Sequence, residues 1–276
     1  MTSLARPGAG RRPSSAIGVG RTRVPLRGFY LTILILLYLP IGILLIFSFN
    51  PSQRLAFPLQ GFTLDWYQAV FADGSLLRAA RSSLMVAAAA ATAATALGTL
   101  VAIATLRFRF RGRSILLGLA VLPLIVPFAV IGAAMFLMLV SLDVPKSLLT
   151  VMLGHSVIAL PFTTLIMLSR LAGMDPALED AAMDLGASYP TALRKVVLPL
   201  MGTALLSAWL TAFVVSFDEV ALANFLIGGD PTFPTLLYGR LRFGGQLPVL
   251  ISMAVLLTFA TIALSLVAVR LFRRRE

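Results

Sequence analysis

Only 11 of the 276 residues are Asp or Glu, so a carboxylate inside an apolar stretch calls for a reason. Two groups stand out. One lies in segment 170–199, which contains Asp175-Pro176-Ala177-Leu178-Glu179-Asp180-Ala181-Ala182-Met183-Asp184-Leu185-Gly186 and ends on Val196-Val197-Leu198-Pro199. The other is Asp218-Glu219, which follows a long apolar run at Ser216-Phe217. Acidic groups at the end of an apolar helix are costly unless they face water or a partner. At 100° per residue, Ser207, Thr211 and Asp218 share one helix face. That face is a polar stripe leading to a carboxylate, and Asp218 stands roughly 24 Å along a helix begun near residue 202. A cation is the ligand such a group would attract.

Other chemistries are poorly provided for. The chain has no Cys and one His, which excludes disulfide frameworks and Cys/His zinc sites. That residue, His155, has no second ionisable group in its own run, so a hydrogen-bonded packing role is expected. The two lysines, Lys146 and Lys195, do not end a Gly-x-x-x-x-Gly-Lys loop, so ATP would be handled by another polypeptide. No nucleophile–base pair is evident. A non-enzymatic chain with no catalytic residue, metal or cofactor is the reading.

The acidic segment 170–199 needs elements to position it. Asp175 is placed to cap a helix with Pro176 at its first position, and Glu179 and Asp180 fall in its early turns. Gly186 is the natural stop. Ser188 is placed to cap a second helix running to Pro199. Two short helices around a glycine elbow result, with small residues at Ala181-Ala182 that let another backbone approach. A plain connector needs only a few residues, so this one reads as a docking element.

Composition supplies the frame. Apolar residues make up 59% of the chain and charged residues 12%, against roughly 45–50% and about 25% in soluble domains. Six runs lack any charged residue: 28–53, 82–106, 114–142, 147–169, 196–217 and 243–269. Roughly 20 helical residues cross a bilayer core, so each run can span it. The fold class is all-α, a polytopic membrane protein of six transmembrane helices. The net charge of +12 is no sign of nucleic-acid binding, because the cations cluster at the ends of apolar runs. With an inside N-terminus, most of the 23 Lys and Arg fall in inside segments, which places both termini in the cytoplasm.

The division that follows is a disordered cytoplasmic tail over 1–27, then a first span and external loop over 28–82. A transmembrane domain over 83–270 carries the cytoplasmic loop 170–199, and a short cytoplasmic tail covers 271–276. Within the external loop, Thr63 is placed to cap a short helix carrying Trp66, Tyr67 and Phe71, an interfacial aromatic anchor. Pro123, Pro127 and Pro161 are expected to kink the third and fourth spans. The Ala-rich stretch 87–94 suggests close helix packing in the second.

Segment 170–199 resembles the cytoplasmic EAA motif of permease subunits of bacterial ABC importers. The match is read at Asp180-Ala181-Ala182, Gly186 and Val196-Val197-Leu198-Pro199, with every spacing kept; Asp180 replaces the family's Glu. The resemblance implies a type I (MetI-like) permease fold in a bacterial inner membrane. It also implies partners: ATP-binding cassette ATPase subunits, a second permease subunit and an extracytoplasmic solute-binding protein. Glu179, Asp180, Ala181, Ala182, Gly186, Leu198 and Pro199 would contact or transmit to the ATPase. The residues around Asp218-Glu219, with Phe225-Leu226-Ile227-Gly228-Gly229 and Pro234-Thr235-Leu236-Leu237, are similar to those of spermidine/putrescine permeases. That likeness implies a polyamine substrate and a path through Ser207, Thr211, Asp218 and Glu219. A permease for another small solute is the alternative. An ion-coupled secondary transporter is a further one, but it would need ionisable residues in its spans, usually in inverted repeats.

Overall fold

The computed structural model describes residues 26–242 and 244–273. The tail expected over 1–27 therefore lies almost wholly outside the described residues. All regular structure among the described residues is helical. Two compact units divide at Ile43 and Leu44.

The first unit holds most of helix α1 (Leu26–Phe47). Within Gly28–Phe47 an 18-residue window has a mean hydropathy of 2.6 and no buried residue. Such an all-round apolar helix is built to face lipid.

The second unit starts at Leu44 and takes in the segment expected to be external. Helix α2 (Asp65–Ala72) begins one residue later than the sequence suggests: Leu64 is its N-cap, while Thr63 Oγ1 accepts the Asp65 N–H at 3.1 Å. Trp66 Nε1 donates to the Asn50 carbonyl at 2.8 Å, and the Tyr67 and Ser48 hydroxyls pair at 2.7 Å. The ring of Phe71 stays exposed. Helix α3 (Gly74–Arg107) is opened by Asp73, whose carboxylate accepts from Ser75 N and Leu76 N. Its 34 residues reach about 51 Å, well beyond a hydrocarbon core of about 30 Å. The long helix therefore emerges from the bilayer on at least one side. One face is small: Ala79, Ala80, Ala87, Ala90, Ala91, Ala94, Gly98 and Ala102 are buried.

That small face receives the helix over Leu148–Ala172, and the two are in intimate contact. A Cβ at Gly98 would stand 2.7 Å from Thr164 N, too close for any residue but glycine. The Thr163 hydroxyl donates to the Ala94 carbonyl at 2.7 Å. Where apolar solvent removes the hydrophobic drive between helices, small residues and cross-helix hydrogen bonds supply the association.

The third apolar run is not one straight span. Helix α4 (Arg113–Val121) passes through a 3₁₀ turn at Leu122–Leu124, and α5 (Phe128–Ser141) leaves at 108°. Pro123 and Pro127 flank the break, since neither supplies a backbone N–H and each disfavours helix in the residue before it. Helix α6 (Leu148–Ala172) opens with a reciprocal capping box between Ser147 and Thr150 and carries Pro161 inside an unbroken helix.

Helices α7 (Ala177–Asp184), α8 (Tyr189–Ala192) and α9 (Leu198–Leu200) follow, with a π-helical turn at Leu193–Val197 between the last two. Helix α10 (Gly202–Phe217) departs at 71° from this stretch. The fifth span is thus shorter than the run 196–217, whose first residues belong to the loop. Helices α11 (Ala223–Leu226) and α12 (Phe233–Arg240) lie in the connection after α10, and α13 (Leu247–Arg273) closes the described chain. It runs to Arg273, past the expected start of the tail at 271.

Candidate functional site

The loop 170–199 holds two helical stretches about Gly186, with shifted bounds. Asp175 Oδ1 accepts the Ala177 N–H at 2.9 Å, but Pro176 is the N-cap and the helix begins at Ala177, one residue later than expected; the second stretch is interrupted by the π-helical turn before Leu198. After α7, Gly186 adopts φ +90°, a left-handed conformation that L side chains avoid. Ala187 N donates to the Ala182 carbonyl and Gly186 N to that of Met183, so the freed carbonyls at the helix end are satisfied. Ser188 has the extended backbone of an N-cap, but its hydroxyl meets that of Thr191 rather than a backbone N–H.

The two neighbouring carboxylates of the loop separate. Asp180 is exposed, with Ala181 beside it. Glu179 is buried and accepts from Arg107 Nε at 2.7 Å. Arg107 Nη2 also approaches the Met174 carbonyl at 3.5 Å. The Phe108 and Tyr189 rings meet edge to face at 5.5 Å. Beneath them Val197 and Met201 are buried with Ala102, Ile103, Met167, Leu171 and Met174. Leu198 is half-buried and Pro199 exposed. At the tip Leu185 is 91% exposed, alongside exposed Leu178 and Met183. The loop is anchored at its base and apolar at its tip.

The second group also splits. Ser207 and Thr211 lie on one stripe of α10, each donating its hydroxyl to the carbonyl four residues earlier. Bonded to their own helix, they present lone pairs rather than free donors. Ser207 lines a cavity of about 640 Å³ with Thr203, Ser169 and Arg170. Asp218 is exposed and borders two cavities. One, of about 380 Å³, is lined by Phe217, Phe233 and Thr258; the other, of about 420 Å³, by Phe128 and Phe162. A carboxylate among aromatic faces suits an organic cation, which gains from both charge and π quadrupole.

Glu219 does something else. It is 7% exposed. One carboxylate oxygen accepts from Leu222 N at 2.8 Å and the other from Ala223 N at 2.9 Å. His155 Nε2 of α6 faces it at 3.4 Å, while His155 Nδ1 shares a 2.7 Å hydrogen bond with Ser216. His155 therefore has an ionisable neighbour after all, supplied by another segment. Leu222 is wholly buried, and Cβ atoms added at Gly132 or Gly154 would collide with it. The turn after α10 is thus clamped between α5 and α6.

Arg107 and the His155–Glu219 contact escape sequence reasoning because their partners lie far along the chain. Asp73 was more legible, since Asp before Gly-Ser is an N-cap signal. It also binds Arg240 Nη1 at 2.7 Å, and Ser75 Oγ accepts from the same guanidinium. Partial burial raises the Asp73 pKa, but Arg240, Ser75 and the two backbone N–H groups outweigh it and hold the carboxyl well below the usual range.

A helical bundle with a docked polar loop defines a class, and comparison with known proteins places it. Residues 94–275 match the family described as binding-protein-dependent transport system inner membrane component, and the chain belongs to that family. It is 36% identical over 218 residues to the spermidine/putrescine transport system permease protein PotC of Escherichia coli strain K12, covering 79% of this chain and 82% of that one. It is 34% identical over 248 residues to the putrescine transport system permease protein PotI of the same strain, covering 87% and 88%. In fold it is similar to a chain of a bacterial ABC transporter involved in the import of the acidic polysaccharide alginate. The TM-score there is 0.70 at 16% identity, over 91% of this chain and 94% of that chain. The chain is an ABC importer permease of the MetI-like fold.

Proposed function

We propose that the chain forms half of the membrane path of an ATP-driven importer of polyamines, with ATP hydrolysed by separate subunits. A second permease subunit completes the path, and an extracytoplasmic binding protein delivers the substrate. Both termini and loop 170–199 face the cytoplasm. The carrying observation is the identity to two polyamine permeases over most of the chain. The placement of Asp218 between aromatic-lined cavities supports a cationic ligand. The exposed tip around Asp180, Ala181 and Leu185, with Ala182 half-buried beside it, supports an ATPase contact, with Gly186 setting the elbow.

The test is uptake of labelled putrescine and spermidine into proteoliposomes holding the assembled importer. ATP-dependent accumulation of either is expected. Wild-type complex that hydrolyses ATP but accumulates neither would refute the substrate. Complex in which Ala181→Trp changes neither ATPase co-purification nor hydrolysis would refute the docking surface.

A further inference from the structure

We infer that Arg107 and Glu179 form a strut that makes the coupling loop and α3 move as one body, so that displacement of the loop is delivered to α3. The inference rests on the reading of the loop as the ATPase contact.

Three observations carry it. First, the pair is buried, with side chains 12% and 6% exposed, and closes at 2.7 Å. Opening such a pair leaves uncompensated charge in a dry site, which is strongly unfavourable. A surface pair would yield easily; this one does not. Second, Arg107 grips two points. Its Nε holds Glu179 in the first turn of α7, and its Nη2 approaches the carbonyl of Met174 in the turn before it. A planar fork with two attachments resists rotation as well as separation. The apolar contacts beneath, around Val197 and Met174, are non-directional and would permit sliding. Third, Arg107 is the last residue of α3. A force applied there acts along a continuous helix that packs against α6 at Ala94 and Gly98. Asp180 meanwhile points away from the chain. Adjacent carboxylates therefore have divided tasks: one faces outward, and one fixes the loop to its lever. Arg107 and Glu179 are positioning residues.

The Cys-free chain allows a direct test in the full importer. Spin labels at Ala187→Cys in the loop and Leu97→Cys on the exposed side of α3 report whether the two move together. The otherwise native pair should give one narrow distance that is the same nucleotide-free and vanadate-trapped. Glu179→Gln and Arg107→Gln should broaden that distance. They should also lower putrescine imported per ATP hydrolysed at least about fivefold, the lower end of typical couplings between sites. The exchanged pair Arg107→Glu/Glu179→Arg should restore both readouts, which a loss of folding would not. The inference is overturned if the neutral variants keep a narrow distance and native stoichiometry of transport. It is overturned equally if the distance shifts on trapping with the native pair in place. Should a neutral variant fail to assemble, the exchanged pair decides: assembled complex that stays broad refutes the strut. The label distance needs no substrate, so its outcome is separable from failure of the polyamine reading, and Ala181→Trp separately reports on the docking surface.

Discussion

Asp218 and Glu219 are chemically alike and one residue apart, yet their surroundings assign them different work. Glu219 spends both oxygens on Leu222 and Ala223 backbone N–H groups and faces His155. Glu219→Gln replaces one acceptor by a donor that clashes with an N–H, and a lost buried hydrogen bond of this kind costs about 1–3 kcal/mol. The expected outcome is a lower thermal-aggregation midpoint of the detergent-purified complex and poorer recovery, with His155→Leu behaving alike. Asp218→Asn removes only an exposed charge. Recovery should match the native complex, while the KM for putrescine uptake rises by about tenfold, corresponding to about 1.4 kcal/mol, within the range of one ion pair near a surface. Equal loss of recovery in both variants would contradict this division. Asp73 gives a pH prediction. Its folded pKa is depressed, so its stabilisation is complete above the unfolded value of about 3.9 and fades as pH falls through the lower folded value. Between pH 5 and 8 its contribution should be constant. Asp73→Ala should lower stability throughout that window by about 1 kcal/mol as a lost helix cap, read from thermal unfolding at both pH values.

Elements depend on two glycines for different reasons. Gly186 is needed for backbone angle: at φ +90° nothing crowds its missing side chain. Gly186→Val should strain the elbow by about 1–2 kcal/mol. Insertion should survive, and ATP hydrolysis should proceed without matching uptake in reconstituted importer; normal uptake per ATP would refute the elbow's role. Gly98 is needed for space, since its position meets the α6 backbone. Gly98→Leu should separate α3 from α6 and abolish recovery of folded complex, measured by gel filtration after mild solubilisation. The contrast also marks what the sequence made legible. Gly186 follows a helical pattern and precedes Ser188, so its left-handed stop is a local signal. Gly98 sits in an apolar helix like any other, and only the approach of Thr163 and Thr164 gives it meaning. The six apolar runs announced where apolar helices occur, because apolar composition is a local property, but not their bounds: run 82–106 lies inside the longer α3. Their directions were not announced: the 108° and 71° bends depend on what packs against each half. Prolines 123 and 127 marked where the first bend falls, but not its size. For the same reason Glu219 read as a twin of Asp218, since burial depends on where the chain turns after Phe217.

For the whole molecule, one ion pair and one helix length constrain the topology. Helix α3 is about 51 Å long by its residue count and must emerge from the bilayer on at least one side. Its start bears Asp73, paired with Arg240, and its end bears Arg107, paired with Glu179. Arg107, Arg109, Arg111 and Arg113 therefore lie on the same side as loop 170–199, whichever side that is. The positive-inside rule counts short flanking segments, and this arginine-rich turn weighs heavily in that count. By that rule the shared side is expected to be the cytoplasm, where ATP is. Ala187→Cys in the Cys-free chain tests this with little disturbance, because a half-buried alanine just past the elbow tolerates a small side chain. In intact spheroplasts, a membrane-impermeant maleimide should leave Cys at this position unlabelled, while permeabilised membranes should label it fully. Cys introduced at Gln60, in the segment expected to be external, should label in both preparations. Labelling of position 187 from outside would invert the topology, and with it the arginine turn and Asp218 would exchange sides. The outer carboxylate would then become an exit group, and an importer reading could not stand on it.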